Sequence, residues 1–232
     1  MKEAEFKSAW SQLHGGADTE GVVGGWLSFS YQAARVCVAL RISPNLLTLL
    51  GLGTAIAMGL STYAAIALLL LVVSLFFDGI DGSVAILRGS ASKWGALLDS
   101  LADRISEAFW LYMGWRLGIP AWVVITMWTI ASTQEYARAR LASLGHTEIG
   151  VVTPTERPVR AIFMAFALIF YIFDIPGTLI LSYAFLALLI FSFLQVMRAA
   201  KKVLRYQPFQ RLIPQEATRP LDEQNHLRDT AP

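Results

Sequence analysis

The chain has 232 residues, of which 55% are hydrophobic and 12% aromatic but only 16% charged, and its mean hydropathy is +0.52. Soluble domains carry about 25% charged residues, so this composition argues against a water-soluble enzyme. It also argues against a disordered chain and, with Cys37 as the single cysteine, against a disulfide scaffold. An integral membrane protein remains. The net charge is only +2 and the basic residues do not gather on one soluble face, so no nucleic-acid partner is expected.

The first residues, MKEAEFKSAW, lack the basic start and apolar centre of a signal peptide; this segment is expected to stay attached and cytoplasmic. Val22–Leu40 mixes Trp26, Leu27, Phe29, Tyr31, Val36 and Val38 with Arg35. It reads either as an amphipathic helix along the membrane interface or as a linker helix packed on a bundle. Residues 1–42 therefore form an N-terminal segment with a juxtamembrane helix.

From Ile42 to Phe77 no residue is charged. As one helix this run would measure about 54 Å, against a hydrocarbon core of about 30 Å, so it holds two spans that turn around Gly59–Tyr63. Ser43 and Pro44 supply the N-cap and first helical position of the first span. The second runs over Ala64–Leu87. Further spans fit Gly95–Leu117, Pro120–Leu144, Pro158–Phe173 and Pro176–Ala199, the prolines marking helix starts. The fold class is thus all-α integral membrane, with six transmembrane helices over 43–200. Residues 201–232 form a polar tail, with 207–232 expected to be disordered.

Of the 19 Lys and Arg residues, all but two fall in the N-terminal segment, the second and fourth loops and the tail. The exceptions are Arg116 on the opposite side and Arg104 inside a span. This bias places both termini in the cytoplasm.

Charged residues within spans are costly and point to function. Here Asp78 and Asp81 end the second span, and Asp99 and Asp103 begin the third. Three and four residues apart, each pair shares a helix face. The short connection Arg88–Trp94 makes the two helices antiparallel neighbours, with both pairs at similar depth near the cytoplasmic surface. Four converging carboxylates repel unless cations neutralise them, and oxygen-only ligands suit Mg²⁺, Mn²⁺ or Ca²⁺ rather than zinc.

The hairpin reads Asp78-x₂-Asp81-Gly82-x₂-Ala85-x₉-Gly95-x₃-Asp99-x₃-Asp103. This resembles the signature of the CDP-alcohol phosphotransferase family of integral membrane enzymes. At typical residue frequencies a chance match is on the order of 10⁻⁷. The Ser43–Thr48 stretch and the six-span layout extend the resemblance over about 44–200. It implies transfer of a phosphatidyl group from CDP-diacylglycerol to a polar alcohol with release of CMP, a step of phospholipid biosynthesis. It further implies two divalent ions, Mg²⁺ or Mn²⁺, held by Asp78, Asp81, Asp99 and Asp103, with Asp103 also taking the proton of the attacking hydroxyl. Ser43, Pro44, Asn45, Thr48, Gly82, Ala85, Ser92 and Gly95 stand where the family borders the CDP-diacylglycerol nucleotide. A homodimer in the cell membrane with its active site on the cytoplasmic side is also implied. The chain departs from the pattern at Ile86, where the family usually has Arg. Arg88 lies about 200° further round the helix and does not share that face.

Arg138, Arg157, Arg160 and Arg198 fall at cytoplasmic ends of spans, level with the aspartates, and guanidinium groups suit a phosphorylated acceptor. Arg157 and Arg160 share a face, whereas Arg138 and Arg140 point apart. Tyr136-Ala-Arg-Ala-Arg140, Gly145 and Glu156-Arg157-Pro158-x-Arg160 resemble the corresponding part of actinobacterial phosphatidylinositol phosphate synthases. The acceptor read first is inositol phosphate; glycerol 3-phosphate is the alternative, followed by an unphosphorylated alcohol. The competing class is a transport-type or catalytically silent paralogue. Glu107 is expected as a buried partner of Arg104, His14 and His146 as bland loop residues, and the tryptophans mainly as an interfacial belt. Gly51, Gly53 and Gly59 are expected to permit close helix packing.

Overall fold

The computed structural model describes residues 1–13, 15–145 and 153–205. These form eight helices and no strand: α1 (Glu3–Leu13), α2 (Gly21–Ala39), α3 (Pro44–Leu60), α4 (Ala64–Arg88), α5 (Lys93–Arg116), α6 (Ala121–Ser143), α7 (Arg157–Ile172) and α8 (Thr178–Leu204). The expected helix starts hold at Pro44, Pro120 and Pro158, while α5 begins two residues before Gly95 and α8 two residues after Pro176. The Ser43 hydroxyl accepts from the Leu46 N–H with Pro44 next to it in the first turn, Pro120 is the N-cap of α6, and Pro158 lies in the first turn of α7. α8 continues to Leu204, past the expected span end at Ala199; residues from 206 onward lie outside the described residues, as do His14 and His146.

Among the described residues, α4 and α8 are each long and apolar enough to cross a membrane, and α2 with α3 pass the same test as a pair bent by 110°. The remaining helices fall short for visible reasons. Asp99, Asp103, Arg104 and Glu107 charge α5, Glu135, Arg138 and Arg140 charge α6, and α7 has only 16 residues.

In a membrane, lipid competes equally for apolar side chains, so helix association rests on close packing and hydrogen bonds. α3 supplies both. Gly51, Ala55 and Gly59 recur every four residues along one stripe. At Gly51 the backbone of α4 comes close, and the Ser74 hydroxyl donates to the Gly51 carbonyl at 2.8 Å. At Gly59 a Cβ would stand 2.8 Å from the Phe109 carbonyl oxygen of α5. Gly53 faces open space instead. α3 is consequently the main packing partner of both α4 and α5, and α7 packs against the same two helices.

α4 and α5 are neighbours, as expected, with Asp78 meeting Asp99 and Asp103 between them, but they do not pack closely on each other; α3 and α7 hold them with room between. Gly89, in the left-handed region at φ +60°, ends α4, and the Ser92 hydroxyl caps α5 by accepting from the Gly95 N–H at 3.0 Å. Acidic side chains on the facing sides of α4 and α5 oppose close contact, which leaves a cavity at this end.

A side chain at position 59 forces α3 away from α5. Overpacking of this kind costs about 1–3 kcal/mol, so Gly59→Ala is expected to lower the unfolding midpoint in detergent, whereas Gly53→Ala should leave it in place. Equal midpoints for the two variants would refute the close approach.

Candidate active site

α4 and α5 bring Asp78, Asp99 and Asp103 together: one carboxylate oxygen from each lies within 4.8 Å of the others. All three are half-buried. Asp81 is the most buried of the four aspartates, at 8% exposure, and turns elsewhere. Its carboxylate accepts from the Thr48 hydroxyl of α3 and from the Gly82 N–H at 2.6 Å. The four expected ligands thus divide into a cluster of three and one carboxylate engaged by α3.

A positive charge already stands at this cluster. Arg157, the first residue of α7, pairs with Asp78 and, at 2.9 Å, with Asp103. Its guanidinium lies 5.4 Å from the centre of the Trp110 ring, within cation–π range. Behind it runs a chain of alternating charges. Glu107, 3% exposed, is 4.0 Å from Arg157 and accepts from Arg160 at 2.9 Å and from Arg104 at 3.1 Å. Arg160 also reaches Glu135 at 3.3 Å and donates to the Thr155 carbonyl at 2.7 Å. Glu135 is 3.7 Å from Arg138, which grips Glu156 with two hydrogen bonds of 2.9 and 2.7 Å. Burial pushes the Glu156 carboxyl up, but the Arg138 side chain and the N–H and hydroxyl of Thr153 together hold it down at about 2.

The four candidate arginines therefore differ in kind. Arg138, Arg157 and Arg160 are joined through acids, and Arg198 on α8 is exposed, with no ion pair among the described residues. The pairing of Glu107 with Arg104 is as expected; its hold on Arg160 is additional. The sequence does not single out Glu135, and it shows Glu156 only as part of the motif before Arg157, with no sign of its pairing with Arg138. Glu135 precedes Arg138 by one helical turn and Glu156 directly precedes Arg157, which is the local signal that was available.

Beside the aspartates a cavity of about 350 Å³ opens. Pro44, Asn45, Thr48, Gly82, Ala85, Ser92 and Gly95 line it, as do Asp78, Asp81 and Asp99. Of the expected nucleotide-site residues only Ser43 is not among the lining residues; its hydroxyl caps α3. The cavity also takes walls from α1 and α2, among them Trp10 and Trp26. Trp110, with 2% exposure in the core, departs from the expected interfacial belt. Ile86 is buried against Phe6, Leu27 and Tyr31, while Arg88 is exposed.

The donor set fits a divalent cation: three carboxylates within a few ångströms, all hard oxygen ligands suited to Mg²⁺ or Mn²⁺, and already drawing in a positive group. A cation there would share or replace the contacts that Arg157 makes with Asp78 and Asp103.

Comparison with known proteins agrees with this geometry. A family model described as CDP-alcohol phosphatidyltransferase matches residues 41–197. An archaetidylinositol phosphate synthase of Pyrococcus horikoshii is 33% identical over 137 residues, covering 56% of this chain and 72% of that protein. A phosphatidylinositol phosphate synthase of Corynebacterium glutamicum is 32% identical over 142 residues, 56% of this chain and 64% of that one. Among solved structures, the fold resembles the phosphatidylinositol phosphate synthase of Mycobacterium tuberculosis, with CDP-DAG bound and, separately, in complex with manganese and citrate. In both cases the TM-score is 0.63 at 20% identity over 74% of this chain, covering 93% and 88% of the respective chains.

Removing one member of a buried ion network leaves its partners charged and unpaired, at a cost of about 3–5 kcal/mol. Glu107→Leu is expected to destabilise the protein by about that much in denaturation experiments, because Arg104 and Arg160 lose a shared acceptor. A variant as stable as the parent would show that the network contributes little.

Proposed function

The chain belongs to the CDP-alcohol phosphatidyltransferase family, and we propose that it transfers the phosphatidyl group of CDP-diacylglycerol to inositol phosphate, releasing CMP. The observation that carries this reading is the union of a nucleotide-sized cavity with three clustered carboxylates and an arginine beside them. The names of the Pyrococcus and Corynebacterium relatives both specify an inositol phosphate product, which favours that acceptor over glycerol 3-phosphate.

In this reading the nucleotide lies along Gly82, Ala85 and Gly95, where small side chains leave α4 and α5 accessible, with Asn45, Thr48 and Ser92 as polar neighbours. The diphosphate sits toward Asp78, Asp81 and Asp99. Asp78, Asp99 and Asp103 would hold Mg²⁺ or Mn²⁺, and Asp81 would be the further ligand for a second ion. The bound ions supply charge neutralisation for the diphosphate and for the departing CMP. Asp103 accepts the proton of the acceptor hydroxyl as that oxygen forms its bond to the lipid-linked phosphorus. The bond from that phosphorus to the CMP oxygen breaks, and CMP leaves with its electron pair.

Among the arginines, Arg157 is the one already at the carboxylates, so it meets the phosphate of the acceptor first. Arg138 and Arg198 approach from α6 and α8. Arg160 has its donors taken by Glu107, Glu135 and the Thr155 carbonyl and acts by positioning α7. In the same reading α3–α8 are six membrane spans forming one domain over 43–200, preceded by the 1–42 segment and followed by the 201–232 tail. The excess of Lys and Arg supports a cytoplasmic site and cytoplasmic termini, and in this reading the working unit in the cell membrane is a homodimer.

Ile86 favours a second reading, a catalytically silent paralogue, since its apolar burial offers the diphosphate no charge. CMP formation separates the two. Purified protein with CDP-diacylglycerol, Mn²⁺ and inositol phosphate is expected to release CMP, with glycerol 3-phosphate giving much less. Asp103→Asn should lower the rate about 10²- to 10⁴-fold, the usual worth of a positioned base. No CMP with either acceptor would reject the inositol phosphate reading.

A further inference from the structure

The family match begins at residue 41, so α1 and α2 stand before it, yet both reach the cavity. Their placement is specific. Phe6 of α1 is fully buried, its ring 5.5 Å from that of Tyr31 and packed with Leu27 and Ile86. The Tyr31 hydroxyl donates to the Met1 carbonyl at 3.0 Å, and the Ser28 hydroxyl donates to Glu3 at 2.7 Å.

Phe6, Trp10 and Leu13 lie four and three residues apart, on one face of α1. The first is buried in a protein cluster, the second packs against that cluster and also lines the cavity, and the third lines the cavity. The apolar stripe therefore runs from the cluster to the cavity wall. From α2, the Trp26 indole comes against α4 at Gly79, next to Asp78, where a Cβ would be 2.5 Å from it. One residue beyond Asp81, a Cβ at Gly82 would meet nothing within 4 Å. The cavity thus has aromatic walls and a small-residue floor.

Charge defines what these walls can hold. Among the described residues no Lys or Arg lines this cavity, so an anionic ligand gains its electrostatic hold at the carboxylate end through cations, and the remainder must be held by other means. α1 is a charged helix bearing Glu3, Glu5 and Lys7, which belongs at the level of water and headgroups rather than hydrocarbon. A planar base suits such a place, because any base offers a π face to an indole, and an acyl chain does not.

We propose that Trp10 and Trp26 form the wall on which the cytosine base of the donor stacks, making the two N-terminal helices part of the nucleotide site. This rests on the reading of the cavity as the CDP-diacylglycerol site. Ile86 then has a structural purpose, since it is the point on α4 where Phe6 docks and so fixes the position of Trp10.

The test measures binding to the full chain in detergent with Mn²⁺, using CDP and inorganic pyrophosphate as paired probes that differ by the nucleoside. Trp10→Ala and Trp26→Ala are each expected to weaken CDP about 5- to 150-fold, equivalent to the ~1–3 kcal/mol of one base–aromatic stack, and to leave pyrophosphate unchanged. Trp10→Leu, which keeps apolar bulk without the ring, should lose CDP affinity as the alanine variant does, and Trp10→Phe should recover most of it. Trp115→Ala, on the distal part of α5, should change neither. Equal losses for CDP and pyrophosphate would reduce α1 to scaffolding and overturn the proposal. So would undiminished CDP binding by Trp10→Ala, or weaker binding of CDP-diacylglycerol without weaker binding of CDP. A parent protein that binds pyrophosphate but gains nothing from the nucleoside would overturn the donor reading itself, and the wall with it.

Discussion

The structure is organised around one electrostatic constraint: three half-buried carboxylates, Asp78, Asp99 and Asp103, share a space small enough that each feels the others. Like charges in a partly dry place require compensation, and Arg157 provides it from the start of α7. Arg157 is itself held by Trp110 and approached by Glu107, which in turn binds Arg160. Alternating charges continue through Glu135 and Arg138 to Glu156 at the foot of α7. The ends of α4, α5, α6 and α7 are therefore fixed to one another by charge, while α3 fixes the spacing of α4 and α5 by close backbone approach. Catalytic geometry and helix packing are the same structure seen from two sides.

Much of this was legible in the sequence, and the reason is locality. The charge-free run to Phe77, the Ser43–Pro44 start, and Pro120 and Pro158 at helix entrances are signals read within a turn or two of chain, and they place the helix ends within a few residues. The aspartate spacing is local too, since i+3 and i+4 define a face whatever lies opposite. What escaped was tertiary. That Asp81 turns to Thr48 depends on where α3 passes; that Arg160 is enclosed depends on Glu107 fifty-three residues away. The short connection made α4 and α5 neighbours, but a short connection fixes only where two helices begin to diverge and not the room left between them. α1 gave the weakest signal: eleven residues in which Phe6, Trp10 and Leu13 form a stripe that acquires meaning only beside Tyr31 and Ile86.

Ile86 links the two halves of the molecule. In the family pattern this position carries a charge; here it carries the contact that seats α1. Substitution of a cation by an apolar anchor changes what borders the cavity from a phosphate contact to aromatic surface. The proposed chemistry is consistent with that exchange, because the clustered aspartates and their cations act at the diphosphate and the N-terminal helices act at the other end of the same ligand.

The most direct test of the central claim is the binding of Mn²⁺ to the purified full chain, with Asp99→Asn as the comparison. Asp99 takes no part in the Arg157 ion pairs, so its replacement leaves that contact in place and removes one oxygen of the three. The carboxylate cluster as a cation site predicts that the parent binds Mn²⁺ and that Asp99→Asn loses that binding while remaining folded. Mn²⁺ bound equally well by both proteins would contradict it and leave Arg157 as the permanent counter-ion of the site.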